Sequence, residues 1–490
     1  MDGTTPGRTG YRPRARAWNV ERLAGLGFAL LCLGFAVGFL LYPTYPNYDS
    51  YYSLLWGREL LDGRLPVFEG FRAPTEHPLA IAAGVVLAVL PEDVGDRLWV
   101  GMCLASFLWL VWGIYQLGRE AFTPLVGLVA GVLLLTRFDF AFLAARGYID
   151  VPYMALVVWA AVLEARRSRR GTAPLVLLGL AGLLRPEAWL LAGLYWLWQA
   201  WRAGWGARVL GALLVGAPPL IWFGVDWLVT GDPLFSLHYT SSSAEELGRQ
   251  RTLAELPSAV PGFFVKLVKL PVALAAGVGL VAAALLAPRR MALPLALFLA
   301  GLGTFTAIGV AGLSVIERYL IVSALALLVF AAVAVGGFEL LAPGARGRRA
   351  WAIGSLILVL AGAGFTATRL NLTRLEGELR FRGDAHAALE DLLAQPAVAA
   401  GLRCGRLSLP NHKLVPDARW IAGLDHGQVR ARAQRDWRGQ RRGVWVVVTS
   451  RYAIFKHAWT NPADRAAVQL PPVGWPRVAV TPYYTAYARC

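Results

Sequence analysis

"PLAIAAGVVLAVLP", residues 78–91, is uncharged throughout and fourteen residues long. As a helix it would extend about 21 Å, short of the roughly 30 Å hydrocarbon core of a bilayer. Whether it crosses decides the side on which every later segment lies. Basic residues supply the test, because Lys and Arg collect in cytoplasmic loops. Arg8, Arg12, Arg14, Arg16 and Arg22 flank the first apolar run and place the N-terminus inside. The later basic segments are "GRE" (118–120), "RRSRR" (166–170), the region of Arg202 and Arg208, "PRR" (288–290) and "PGARGRR" (343–349). They fall inside as well only if residues 78–91 lie along the outer face as a juxtamembrane helix.

Composition agrees with a membrane protein: 57% of the 490 residues are hydrophobic and 19 are tryptophan. The leader "GRTGYRPRARAWNVER" runs into the first apolar run with no small-residue cleavage site, so that span is expected to remain as an anchor. Spans are expected near 22–42, 98–117, 122–137, 151–165, 172–184, 187–201, 208–229, 267–287, 291–312, 319–341 and 351–369, making about eleven. Several are shorter than a perpendicular crossing needs, which leaves room for a re-entrant pair. The net charge of +17 sits largely in loops, where it reports topology, and nucleic acid is not an expected partner. Alanine and arginine richness suggests a high-GC bacterium and its plasma membrane. The fold class is a mainly α, polytopic membrane protein: a cytoplasmic basic N-terminus (1–21), a transmembrane region (22–369) and an exterior tail (370–490).

The tail holds 18 Lys/Arg against 9 Asp/Glu, but long domains translocate largely regardless of charge. "TRLEGELRFRGDAHAALEDLLAQPAVAAGL" has helical spacing, while "GVWVVVTS" (443–450) and "PRVAVTPYY" read as strands. A small α/β extracytoplasmic domain is expected. An oxidising exterior would permit a disulfide between Cys404 and Cys490; two unpaired thiols are the plain alternative.

Polar residues then sort to one face. Asp49 follows the first span in "PNYDSYYSLLWGRELLDGRLP" (46–66), and "PTEHP" (74–78), "RGYIDVPY" (146–153), "RPE" (185–187), "GDPLFSLHYTSSS" (231–243) and "ERY" (317–319) join it from distant segments. Ionisable groups at a membrane boundary are costly and mark polar sites. Asp49, Glu76, His77 and Asp150 with Arg146, Arg185 and Arg318 would combine a general base, a cation site and phosphate-binding cations. This is the chemistry of transfer from a phosphate leaving group. Tyr51, Tyr52 and Trp56 are expected at headgroup level, and "YWLWQAWRAGW" (195–205) as an interfacial belt.

The order "D-x-Y-Y", "HP", a second-loop "D", "RPE" and a late "ERY" resembles the GT-C glycosyltransferases, nearest the protein O-mannosyltransferase and aminoarabinose transferase-like branch. The likeness covers roughly residues 20–370. It implies a GT-C-type bundle with outer juxtamembrane helices, a polyprenyl-phosphate sugar as donor, and a glycan, glycolipid or protein hydroxyl as acceptor. It implies further that Asp49 is the catalytic base and that Asp150 supports the base, a cation or the acceptor. Glu76 and His77 would fill an acidic-or-histidine position before proline, and Arg318 with Tyr319 would face the donor phosphate. Arg185, His238 and Tyr52 complete the expected substrate contacts. A divalent metal ion would be held by Asp49, Asp150 and His77, although Asp49 lacks an acidic neighbour, with Tyr48 before it and Ser50 after.

Each residue has a structural rival. Asp49 and Asp150 could cap helices, Arg185 and Glu187 could form an ion pair across Pro186, and Arg318 could pair with Glu317. A transporter or flippase for a lipid-linked or anionic substrate is the alternative function, and a scaffold displaying the basic tail a third. The excess positive charge of the tail suggests that it recognises an anionic acceptor. Its affinity for anionic glycans should then fall steeply between low and physiological salt, and binding indifferent to salt removes the idea.

Overall fold

The computed structural model describes residues 14–169, 171–246, 255–313, 315–369, 372–434, 439–457, 471 and 473–490. Arg8, Arg12 and Arg170 lie outside the described residues. The apolar runs form helices: α1 (Arg14–Leu41), α2 (Tyr48–Leu61), α3 (Pro78–Leu87), α4 (Glu92–Ala121), α5 (Pro124–Leu135), α6 (Phe138–Ala145) and α7 (Asp150–Arg166). After these come α8 (Ala173–Leu184), α9 (Glu187–Ala200), α10 (Trp205–Thr230), α11 (Phe235–Glu246), α12 (Leu256–Val268), α13 (Leu270–Leu286), α14 (Pro288–Val310), α15 (Ile321–Gly336) and α16 (Arg348–Arg369). A 3-10 turn, Glu317–Leu320, leads into α15.

All eleven expected spans fall on helix, but among the described residues the number long and apolar enough to cross alone is six, or up to eight counting two bent pairs. The pairs are α5 with α6, bent by 65°, and α12 with α13, bent by 105°. Lys269 occupies the second break at a φ of +68°. Three expected spans, on α7, α8 and α9, are only 12–17 residues long, too short for a perpendicular crossing. The bundle is built around α15, which is enclosed almost along its length, while α1 and α16 turn their leucines outward. Trp198, Trp201 and Trp205 are exposed around the α9–α10 turn.

Helix α3 does not lie free on a surface. It crosses α2 backbone to backbone, because a β-carbon at Gly57 would run into Gly84 and one at Gly84 into Ser53. The aromatic residues of α2 are likewise not at an interface: Tyr51, Tyr52 and Trp56 are all buried. Tyr52 and Trp56 pack with Phe68 and Ile81, and Trp56 Nε1 donates to the Val67 carbonyl at 3.0 Å. Tyr52 and Trp56 lie under the loop 62–77, while Tyr51 packs against His386 and Trp420 of a second layer of structure that also covers α2.

That layer is formed by residues 372–490 around their own apolar core. Helices α17 (Leu372–Ala394), α18 (Pro396–Cys404), α19 (Val415–Ile421) and α20 (Arg451–His457) accompany a five-stranded sheet of order β2-β1-β3-β5-β4. The strands are β1 (Arg406–Leu409), β2 (Val429–Ala431), β3 (Gly443–Val448), β4 (Arg477–Val480) and β5 (Tyr484–Arg489). β1 runs parallel to β2 and β3, while β5 is antiparallel to β3 and β4. β3 is buried along its whole length, which explains its unbroken apolar run.

Cys404, ending α18, is bonded to Cys490, just past β5. A bridge across 86 residues restricts the unfolded chain by about 4.6 kcal/mol. Amide exchange in β1 and β5 should therefore accelerate in a Cys404→Ser protein, while α4 and α15 stay protected; equal acceleration in all four contradicts separate cores.

Candidate active site

Asn47 fixes the start of α2. Its Oδ1 accepts from the Asp49 amide at 2.8 Å, and its Nδ2 donates to the Arg146 carbonyl at 3.1 Å. Ser50 Oγ donates to the Gly147 carbonyl at 2.6 Å, which also accepts from Trp99 Nε1 at 2.8 Å. Gly147 has a φ of +68° and stands too close to Trp99 for a β-carbon. These bonds seat the α6–α7 turn against the first turn of α2, so that Asp49 and Asp150 face one another's surroundings.

Asp150 is completely buried and is held by two arginines. Arg318 donates to it through Nη2 at 2.5 Å and Nε at 3.2 Å, and Arg185 Nη1 donates to its Oδ1. Arg318 Nη1 also reaches Asp49 Oδ2 at 3.8 Å. Arg185 turns its other edge to Glu187 Oε1, at 2.7 and 3.0 Å, and lies over the rings of Tyr153 and Tyr319. The result is one chain of alternating charge, Asp49–Arg318–Asp150–Arg185–Glu187. The ion pair expected across Pro186 exists, yet Arg185 is shared with Asp150. Arg318 and Asp49 are the members with a third of their side-chain surface open, 33% and 34%.

A cavity of about 460 Å³ opens beside this chain. Asp49, His77, Arg185, Arg318 and Tyr319 line it together with Glu187. Thr304, Ala307, Ile308 and Ala311 also line it, and their i, i+3, i+4, i+7 spacing makes a largely apolar stripe along the end of α14. Charged groups and apolar wall thus share one space, as an amphiphilic ligand requires.

Glu76 and Asp226 form a second cluster. Both are buried; Ser236 Oγ contacts Glu76 Oε1 and lies 2.8 Å from Asp226 Oδ2, and Trp222 Nε1 donates to Ser236 Oγ at 2.8 Å. Burial first, then the hydrogen bond with Asp226 and its charge, push the Glu76 carboxyl well above the usual carboxylate range. Through Ser236 the two carboxyl groups tie the loop before α3 to α10 and α11. Asp226, a single acid near the end of an apolar run, was the signal that the sequence reading missed. His77 caps α3 with its ring edge-on to Trp222, at 5.7 Å between centroids. Burial, and next the Arg185 charge, depress it to about 3, so the ring is neutral.

Besides the buried Glu76, three expected contacts lie off the cavity. His238 is exposed on α11 and pairs with Asp232 at 2.7 Å, pointing away from the cavity lining. Tyr52 sits in the aromatic core beneath the loop 62–77. Arg146 stacks over Tyr45 at 5.1 Å and does not line the cavity. The expected metal ligands do not fit a metal ion either. Asp150's oxygens are occupied by guanidinium groups, and among the described residues no group of three His, Cys, Asp or Glu side chains is placed to hold one.

No family model and no curated protein matches the chain. Solved structures do. ArnT from Cupriavidus metallidurans bound to undecaprenyl phosphate aligns at a TM-score of 0.51 and 13% identity, over 95% of this chain and 97% of that one. The same protein in the apo state gives 0.53 and 14%, over 95% and 98%. The apo oligosaccharyltransferase of Archaeoglobus fulgidus gives 0.52 and 12%, over 86% of this chain and 65% of that one.

Removing the charge of Asp150 leaves two guanidiniums facing each other in a buried place. Asp150→Asn should lower unfolding stability in detergent by about 3–5 kcal/mol, whereas exposed Asp232→Asn should leave the melting midpoint unchanged. Equal midpoints for the Asp150 variant and the wild type exclude the arrangement. The chain is an integral membrane protein that shares the fold of ArnT and of the archaeal oligosaccharyltransferase.

Proposed function

We propose that this protein transfers a sugar from a polyprenyl-phosphate donor to a hydroxyl acceptor at the outer face of the membrane, with inversion and with Asp49 as general base. The observation that carries the reading is Asp49 and Arg318, both open to an amphipathic cavity and linked to each other at 3.8 Å. One group removes a proton and the other receives a phosphate.

The acceptor oxygen forms a bond to the anomeric carbon as the bond from that carbon to the phosphate oxygen breaks. The acceptor proton passes to Asp49, and the electron pair leaves with the polyprenyl phosphate. The charge chain suits this exchange. Its three carboxylates and two guanidiniums carry a net charge of −1. Protonation of Asp49 brings that to zero and releases Arg318 from one of its two carboxylates as the phosphate oxygen gains charge. Cation and leaving group are thus brought together most strongly after the proton has moved, which favours the transition state over the ground state. Asp150 and Glu187 act as anchors of the arginines in this scheme. The α14 stripe suits the lipid tail.

The fold shared with ArnT supports the donor class, since that protein was solved with undecaprenyl phosphate bound. The test is turnover of undecaprenyl phosphomannose and undecaprenyl phosphoarabinose by the reconstituted protein with a membrane glycan extract. Asp49→Asn should lose about 10²–10⁴-fold in kcat while retaining donor binding. Equal turnover in both proteins removes Asp49 as base, and a wild type that neither binds nor turns over any donor favours transport of a lipid-linked substrate.

A further inference from the structure

Asp49 owes its place to α2, and α2 is gripped along its length by the layer formed from residues 372–490. At its far end Glu59 Oε1 accepts from Arg419 Nη2 of α19 at 2.6 Å, and Arg419 is only 1% exposed. Arg58 caps the last turn of α19 by donating to the carbonyls of Arg419, at 2.9 Å, and Trp420, at 3.3 Å, while lying over the Trp420 ring. Trp420 itself is buried in the apolar core of the helical bundle, with its Nε1 donating to the Glu92 carbonyl at 3.1 Å. In the first turn of α2, Tyr51 stacks on His386 of α17 and donates to Asp96 at 2.9 Å. Near the catalytic end, Tyr48 meets His412 edge-on at 5.4 Å.

These contacts are more than a surface dock needs. Exposed ion pairs contribute little, whereas a buried Arg–Glu pair is retained at a desolvation cost and constrains geometry tightly. Glu59 stands ten residues from Asp49, roughly 15 Å along the helix axis. A tilt of about 4° at that end displaces Asp49 by about 1 Å, and misplacement on that scale is enough to cost about 10²-fold in rate.

We infer that the layer formed by residues 372–490 is a positioning element for the base, and that Arg419 is a positioning residue which sets the angle of α2 through Glu59. This rests on the transfer reading given above. It assigns the layer a part in the chemical step that does not involve touching the substrate. Because α2 is one helix with the carboxylate that takes the acceptor proton at one end and the Arg419 pair at the other, loosening the pair should lower kcat and leave donor affinity alone.

The experiment uses the full-length reconstituted protein with undecaprenyl phosphomannose and undecaprenyl phosphoarabinose, normalised to the fraction that binds undecaprenyl phosphate. Arg419→Met should lower kcat at least tenfold with donor KM within about twofold of wild type, and Arg419→Lys, which keeps the charge, should recover much of it. Glu59→Gln combined with Arg419→Met removes both charges and guards against simple misfolding; it should fold, bind undecaprenyl phosphate and show the same kcat defect. Normal kcat in the folded double variant overturns the inference and leaves the transfer reading standing. A loss expressed as raised KM also overturns it. Absence of turnover by the wild type overturns the transfer reading, and this inference with it.

Discussion

A carboxylate that no water reaches, held by two guanidinium groups, is the constraint on which this end of the molecule is built. Burying Asp150 alone would cost several kcal/mol, and each arginine likewise. The cost is offset only when the first turn of α7, the α8–α9 break and the turn before α15 meet at one point. Three parts of the bundle are thereby fixed relative to one another. Arg318 is left with one nitrogen toward Asp49, and that residual reach gives the cavity its charged wall.

The same constraint separates anchors from participants. Asp150 is shut in and Arg185 meets the cavity with little of its surface, whereas Asp49 and Arg318 keep wider contact with the open space. Glu76 and Asp226 show a different arrangement, in which the Ser236 hydroxyl stands between two buried carboxyl groups. Both clusters hold loops against helices, and both do so beside the cavity. Rigid walls around a polar site are what a reaction without large rearrangement needs.

The gathering of Asp49, His77, Asp150, Arg185, Arg318 and Tyr319 was legible, because charge beside an apolar span is expensive and so rarely accidental. The helical positions were legible too, from hydropathy alone. Crossing number was not, since a helix such as α8 reaches adequate apolarity without adequate length. Tyr51, Tyr52 and Trp56 misled because an aromatic residue after a span reads as interfacial, and only the fold reveals the layer resting on α2. His238 misled in the opposite way: a histidine in a polar loop carries no sign of its direction. Asp226 was hidden by its apolar neighbours, and its partner Glu76 lies 150 residues away.

The meeting of Gly57 with Gly84 acts as a gauge. Between α2 and α3 there is no cushion of side chains, so neither helix can roll or slide without moving the other. Asp49 lies eight residues before one glycine and His77 seven before the other, and both face the cavity. Shifting the point of crossing by one residue on either helix would slide one N-terminus past the other by about 1.5 Å. The separation of a carboxylate and an imidazole is in this way recorded at two positions that own no side chain.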